Sequence, residues 1–262
     1  MSTRIPFENL NNTRDLGGMV GAGGRRIPPG RLIRSGHLYF ASEADAAKLE
    51  ELVDVVVDFR TAGERSEKPD PELAFTEALH VPIFGKLTKG VTHEKEAHVK
   101  ARLEISDPEA AIASMCATYE SFVVGPVPLA GYRQFLDVLL EPHQHGVLWH
   151  CTAGKDRAGF AAIVIQWLLG VDEDAIREDY LATNGYLAAE VESLVEMLRN
   201  RTGEGGEASD EALRCLFTAR VEYLDAALAA AVRTYGSFDG FLSQGLRVTA
   251  EERDRLRALY LQ

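Results

Sequence analysis

VLWHCTAGKDRAGFAA, residues 147–162, joins an apolar run that ends in a cysteine to a turn crowding Lys155, Asp156 and Arg157, and then to a second apolar run. The first run is short, branched and aromatic, as in a strand buried on both faces. The second, GFAAIVIQWLL (159–169), has the length of a helix and stops before Gly170, a fitting residue for the position after a helix end. The stretch therefore predicts strand, sharp turn and helix. Such a junction aims several backbone N–H groups and the positive end of the helix dipole at one point, which attracts an anion. Gly154 is the residue expected to take a positive φ there. A nucleotide-binding loop is excluded, because the Gly-x-x-x-x-Gly-Lys-Ser/Thr pattern meets Trp149 at its first glycine and Asp156 at its last position.

The turn places a thiol, Cys151, five intervening residues before a guanidinium, Arg157. Arginine binds two phosphate oxygens at once. The amides and cation that hold a dianion also favour a thiolate, and a thiolate beneath a phosphoryl group is an in-line nucleophile. The competing reading makes Cys151 a small buried residue at a strand end, but it leaves the three crowded charges unexplained. Cys116 and Cys215, both on helical segments, are read as packing residues.

Working outward, LVDVVVDF (52–59), ALHVPI (78–83) and GVLWHC (146–151) predict buried strands, with helices expected over 42–52, 108–123, 129–140 and 173–183. Ser42 and Asp172 are expected N-caps, and Thr249 with Glu252 forms a capping box for 250–261. Beyond Asn184 only helical periods occur, at 186–200 and 210–235, separated by the glycine-rich RTGEGGEA (201–208). Strands alternating with helices predict an α/β domain with a central, mainly parallel sheet flanked by helices, plus additional C-terminal helices, all in one domain over 1–262.

A net charge of −12 argues against nucleic acid and anionic lipid as partners, so an anion would be held by a local pocket. The longest uncharged run, 158–171, is too short for stable membrane insertion, and the polar N-terminus has no signal-peptide core. The expected location is the cytoplasm, with signal-less export left open. Three dispersed cysteines fit neither a disulfide framework nor a zinc site, and His143 and His145 read as surface residues. Nothing in the sequence assigns an oligomeric state.

HCTAGKDRAG (150–159) resembles the His-Cys-x-x-Gly-Lys-Asp-Arg-Thr-Gly loop of cysteine-dependent protein tyrosine phosphatases. NTRDLGG (12–18), GRLIRSGHL (30–38), VVVDFRTAGE (55–64), DYLATN (179–184) and YGSFDGFL (235–242) are similar to ordered blocks of the bacterial tyrosine and lipid phosphatases that include a secreted mycobacterial member. The resemblance implies a protein tyrosine phosphatase-like fold, no metal and no cofactor, and a phosphocysteine intermediate. It implies Cys151 as nucleophile, Arg157 as phosphate clamp, and Thr152, Ala153, Gly154, Lys155, Asp156 and Arg157 as the phosphate-binding loop. It points to Asp156 as proton donor, and the lack of a carboxylate in VPIFGKLTKG (81–90) favours that role over a simple N-cap. Lys155 is expected either to reach a second anionic group or to be a solvated surface residue. The implied substrates are phosphotyrosine proteins, with phosphoserine and phosphoinositides as further candidates.

Residues 186–235 are implied to form a helical lid hinged at 201–208. The stripe Leu187, Val191, Leu194, Val195 and Leu198 by itself reads as core packing, the favoured reading of the two. One departure stands out: Ala158 occupies the position of the usual Thr or Ser, whose hydroxyl would stabilise the departing thiolate. The alternative expectation is therefore a phosphate-binding module with weak turnover.

Overall fold

Val53–Asp58 and Gly146–His150 are rich in apolar side chains, and they form two neighbouring interior strands of a six-stranded sheet. The computed structural model describes residues 2–85, 107–202 and 209–262. In chain order the strands are β1 (Thr3–Arg4), β2 (Arg14–Asp15), β3 (Leu32–Ser35), β4 (Val53–Asp58), β5 (Glu77–His80) and β6 (Gly146–His150), arranged β1-β2-β3-β6-β4-β5. The pairs β3–β6, β6–β4 and β4–β5 are parallel, whereas β1–β2 and β2–β3 are antiparallel. Register brings Ser35, His150 and Asp58 into one row at the carboxyl ends of three strands, directly before Cys151. Open α/β sheets bind ligands at that edge.

The helices are α1 (Glu43–Leu52), α2 (Ala62–Glu67), α3 (Pro108–Val124), α4 (Pro126–Leu140), α5 (Arg157–Leu168), α6 (Glu173–Tyr186), α7 (Ala188–Thr202), α8 (Asp210–Phe217), α9 (Val221–Tyr235) and α10 (Ala250–Tyr260). Helix α5 is apolar all round and buried along nearly its whole length, as a central helix must be. Phe122, Tyr132 and Phe160 pack their rings against one another in the larger core, while Leu10, Ile33, Leu49, Val56 and Leu148 fill a smaller one.

The expected caps form: Ser42 and Thr249 close capping boxes and Asp172 accepts the Asp174 N–H. Gly170 has φ +76° just after α5. The single helix expected over 210–235 is instead two. The chain turns extended at Thr218, and the Asn184 amide pins both backbone groups of Ala219, at 2.8 Å and 2.7 Å. Strands β1, β2 and β3 and helix α2 are additions to the sequence reading. β3 holds Arg34 amid only four residues, too few and too polar to register as a buried strand.

Candidate active site

Strand β6 ends at His150 and α5 begins at Arg157, so residues 151–156 must turn sharply between them. Three consecutive loop carbonyls are tied outward. Thr152 O accepts the His37 N–H at 3.0 Å, Ala153 O accepts the Asn12 amide at 2.9 Å, and Gly154 O accepts Arg34 Nη2 at 2.7 Å. Because a trans peptide points its N–H opposite its C=O, the amides of Ala153, Gly154 and Lys155 turn the other way, into a common hollow. Gly154 has φ +71°, and a Cβ there would stand 2.6 Å from Ser35 O, so no other residue fits.

Those ties rest on a buried network. Arg34 reaches Asp179 Oδ2 at 3.3 Å, Arg14 reaches Asp179 Oδ1 at 3.3 Å and Thr183 Oγ1 at 2.9 Å, and Arg14 also donates to Asn12 Oδ1. Burial alone would raise the Asp179 carboxyl, but Arg14 and Arg34 outweigh it and hold it below the ordinary carboxylate value. Burial, then the neighbouring Arg14, lowers Arg34 to about 10. Three of the family-like blocks, 12–18, 30–38 and 179–184, thus meet behind the loop.

Cys151 is buried at the floor of the hollow. Arg157 opens α5, and its two terminal nitrogens each lie 2.7 Å from an oxygen of Glu64 on α2. Burial disfavours its charge, yet Glu64 outweighs that and raises the guanidinium further. A guanidinium has five N–H groups; two go to Glu64 and Nη2 also reaches the Thr152 hydroxyl at 3.4 Å, so the rest are available to an oxyanion. Glu64 also takes the Thr152 hydroxyl at 2.5 Å and closes a capping box with Thr61.

Asp156 sits where an N-cap would, but its side chain makes no cap bond. Its Oδ1 instead accepts the Tyr119 hydroxyl at 3.0 Å and stands 3.1 Å from Lys155 Nζ. Lys155 is not a surface lysine: it lines the cleft above the loop, and its ammonium is buried and donates to the carbonyls of Leu216 and Thr218 at 2.9 Å and 3.1 Å. His150 places Nδ1 3.2 Å from Cys151 O and Nε2 3.2 Å from Asp70. Burial opposes its charge, but Asp70 and Asp58 raise the imidazole above its ordinary value. Arg60 bridges those two carboxylates at 2.8 Å and 2.6 Å.

Above the loop is a cleft of about 680 Å³, walled by Phe40 and Lys68 on one side and by Leu187, Val191, Leu194 and Met197 on the other. The α7 stripe packs as core: Leu187, Val191, Val195 and Leu198 cluster with Leu213 of α8 and against Ala153. The hinge expected at 201–208 lies largely outside the described residues, as does the second half of 81–90.

Glu64, Tyr119, Asn12 and Arg34 are the site residues that sequence reasoning missed. Glu64 left a signal in the Thr61-x-x-Glu64 spacing, which reads only as a cap. Tyr119 left none, being one aromatic on a helical period.

The sequence matches the tyrosine phosphatase family over residues 5–262. A Cupriavidus necator protein named as a tyrosine-protein phosphatase is 36% identical over 264 residues, which span 98% of this chain and 88% of that one. The triple specificity protein phosphatase PtpB of Mycobacterium tuberculosis is 28% identical over 245 residues, spanning 82% of this chain and 86% of its own. Among solved structures, TpbA of P. aeruginosa aligns over 79% of this chain and 90% of its own at 18% identity, with a TM-score of 0.30.

Proposed function

The chain belongs to the tyrosine phosphatase family, and on that premise we propose that it hydrolyses phosphomonoesters through a phosphocysteine on Cys151, with phosphotyrosine proteins as its main substrates. The phosphoryl dianion sits among the inward amides of the loop and the remaining N–H groups of Arg157. The Cys151 thiolate attacks phosphorus, an S–P bond forms, and the P–O bond to the leaving group breaks with its electron pair on oxygen. That oxygen takes a proton from Asp156 and departs as the phenol. Water then attacks the phosphocysteine, Asp156 takes its proton, and phosphate and thiolate are released.

The observation that carries this reading is the outward tie of three consecutive carbonyls, which turns the loop's donors toward the space over Cys151. Donors aimed in advance at developing negative charge supply much of the rate enhancement in such chemistry. Activity on phosphoserine and phosphoinositides is supported only by similarity to a relative called triple specificity. The test is hydrolysis of p-nitrophenyl phosphate with a chelator present, followed by phosphotyrosine peptides, phosphoserine peptides and soluble phosphoinositides in parallel. Full activity in Cys151→Ser, or a need for added divalent metal, would overturn the mechanism, and no preference for phosphotyrosine would overturn the substrate assignment.

A further inference from the structure

We propose that Tyr119, itself held by Tyr180, is a positioning residue that decides which carboxyl oxygen of Asp156 carries the proton delivered to the leaving group. This rests on Asp156 being the acid.

Both donors to Asp156 converge on the same oxygen. Tyr119 OH reaches Oδ1 at 3.0 Å, and Lys155 Nζ stands 3.1 Å from that atom. A carboxyl oxygen facing two donors cannot also carry a hydrogen without turning it against them, so the proton of the acid form resides on Oδ2. The arrangement is held from outside: Tyr180 OH donates to Tyr119 OH at 2.9 Å, which leaves the Tyr119 hydrogen for Asp156. Both phenols are fully buried on α3 and α6, and Tyr119 packs against Phe122, Tyr180 and Tyr223. Burial, then the charge of Asp156, pushes both phenols well above their ordinary value, so they remain donors throughout any working pH. Tyr132 of α4 and Tyr223 of α9 also feel the Asp156 charge, as does Arg157.

The consequence is directional. When the Cys151 sulfur bonds to phosphorus and the P–O bond breaks, the leaving oxygen collects its proton from Oδ2, while Oδ1 stays anchored. Asp156 ends as a carboxylate already aligned to accept a proton from the attacking water. Without the Tyr119 hydroxyl Oδ1 keeps only the Lys155 ammonium, which is shared with the carbonyls of Leu216 and Thr218, so the carboxyl exchanges its two oxygens more readily and the proton is more often misdirected.

The experiment is a series of aryl phosphates of graded leaving-group basicity, with kcat/KM plotted against that basicity for wild type, Tyr119→Phe, Tyr180→Phe and Asp156→Asn. Proton donation matters only for basic leaving groups. Tyr119→Phe is expected to slow phenyl phosphate about tenfold and dinitrophenyl phosphate about twofold or less. Tyr180→Phe should shift the slope the same way by a smaller amount, with tungstate affinity unchanged in both. Equal slowing of every substrate by Tyr119→Phe would make it a packing residue and overturn the proposal. A wild-type slope in Asp156→Asn would instead overturn the acid assignment itself. Should Tyr119→Phe fail to fold, the Tyr180→Phe slope decides: a steepened slope supports the relay and an unchanged one overturns it.

Discussion

Arg157 and Glu64 face each other fork to fork, both N–O distances 2.7 Å, with each side chain almost fully buried. The carboxylate fixes the plane of the guanidinium before substrate arrives, and it balances a charge that would otherwise stand buried alone. Glu64→Gln keeps the shape and removes the charge. It should lower kcat/KM for p-nitrophenyl phosphate about ten- to a hundredfold and destabilise the ligand-free protein by about 3 kcal/mol. Tungstate, supplying the missing negative charge, should raise Tm more in the variant than in wild type. Equal shifts in Tm would show that Glu64 does not neutralise Arg157.

Cys151→Ser should abolish turnover and still bind tungstate, because the amides and Arg157 do not depend on the thiol. Calorimetric titration checks this. Loss of anion binding together with activity would mean that the sulfur is a structural part of the loop.

Ala158 is fully buried and offers no hydroxyl near the sulfur, while the Thr152 hydroxyl is directed to Glu64 at 2.5 Å. Breakdown of the phosphocysteine should therefore limit wild-type turnover, giving a burst of p-nitrophenol in a stopped-flow trace. A hydrogen bond to a charged group contributes ~1.5–3 kcal/mol, so Ala158→Ser should raise kcat about tenfold or more and shrink the burst. No burst in wild type and an unchanged kcat in Ala158→Ser would show that the first step limits.

The pH dependence of stability should trace to Asp179, whose folded value is lowered by Arg14 and Arg34 after burial has worked the other way. Its contribution is full above the ordinary carboxylate value of ~3.9 and is lost as pH falls through the folded value. Asp179→Asn leaves two buried guanidinium groups without a counterion, which should cost about 3–5 kcal/mol at neutral pH. Urea unfolding of both proteins at neutral pH and in acid should show the gap narrowing in acid. A constant gap would place the effect in packing alone.

The strand–turn–helix junction was legible because its chemistry is local: apolar runs on either side, glycine in the turn, and charges too crowded for a mere connection. The caps at Ser42, Asp172 and Thr249 were legible for the same reason. What could not be read is what the site draws from a distance. Asn12 and Arg34 lie over a hundred positions before the carbonyls they hold, and Glu64 and Tyr119 lie on helices of unremarkable pattern. The burial of Lys155 was not legible because its acceptors, Leu216 O and Thr218 O, are free of helix bonding only where the chain breaks between α8 and α9. That break depends on Asn184, another distant side chain.

The outward tie of the loop carbonyls also sets an order of events during synthesis. Asn12 and Arg34 emerge early, the loop itself midway, and Asp179, which holds the two arginines in place, later still. A nascent chain that has released Cys151 but not α6 therefore carries a thiol with no finished cradle around it, unable to hold phosphate and open to oxidants. The onset of activity in a ribosome-bound length series should therefore follow release of α6 and the chain that packs after it, and so report completion of the buried network rather than exposure of the nucleophile.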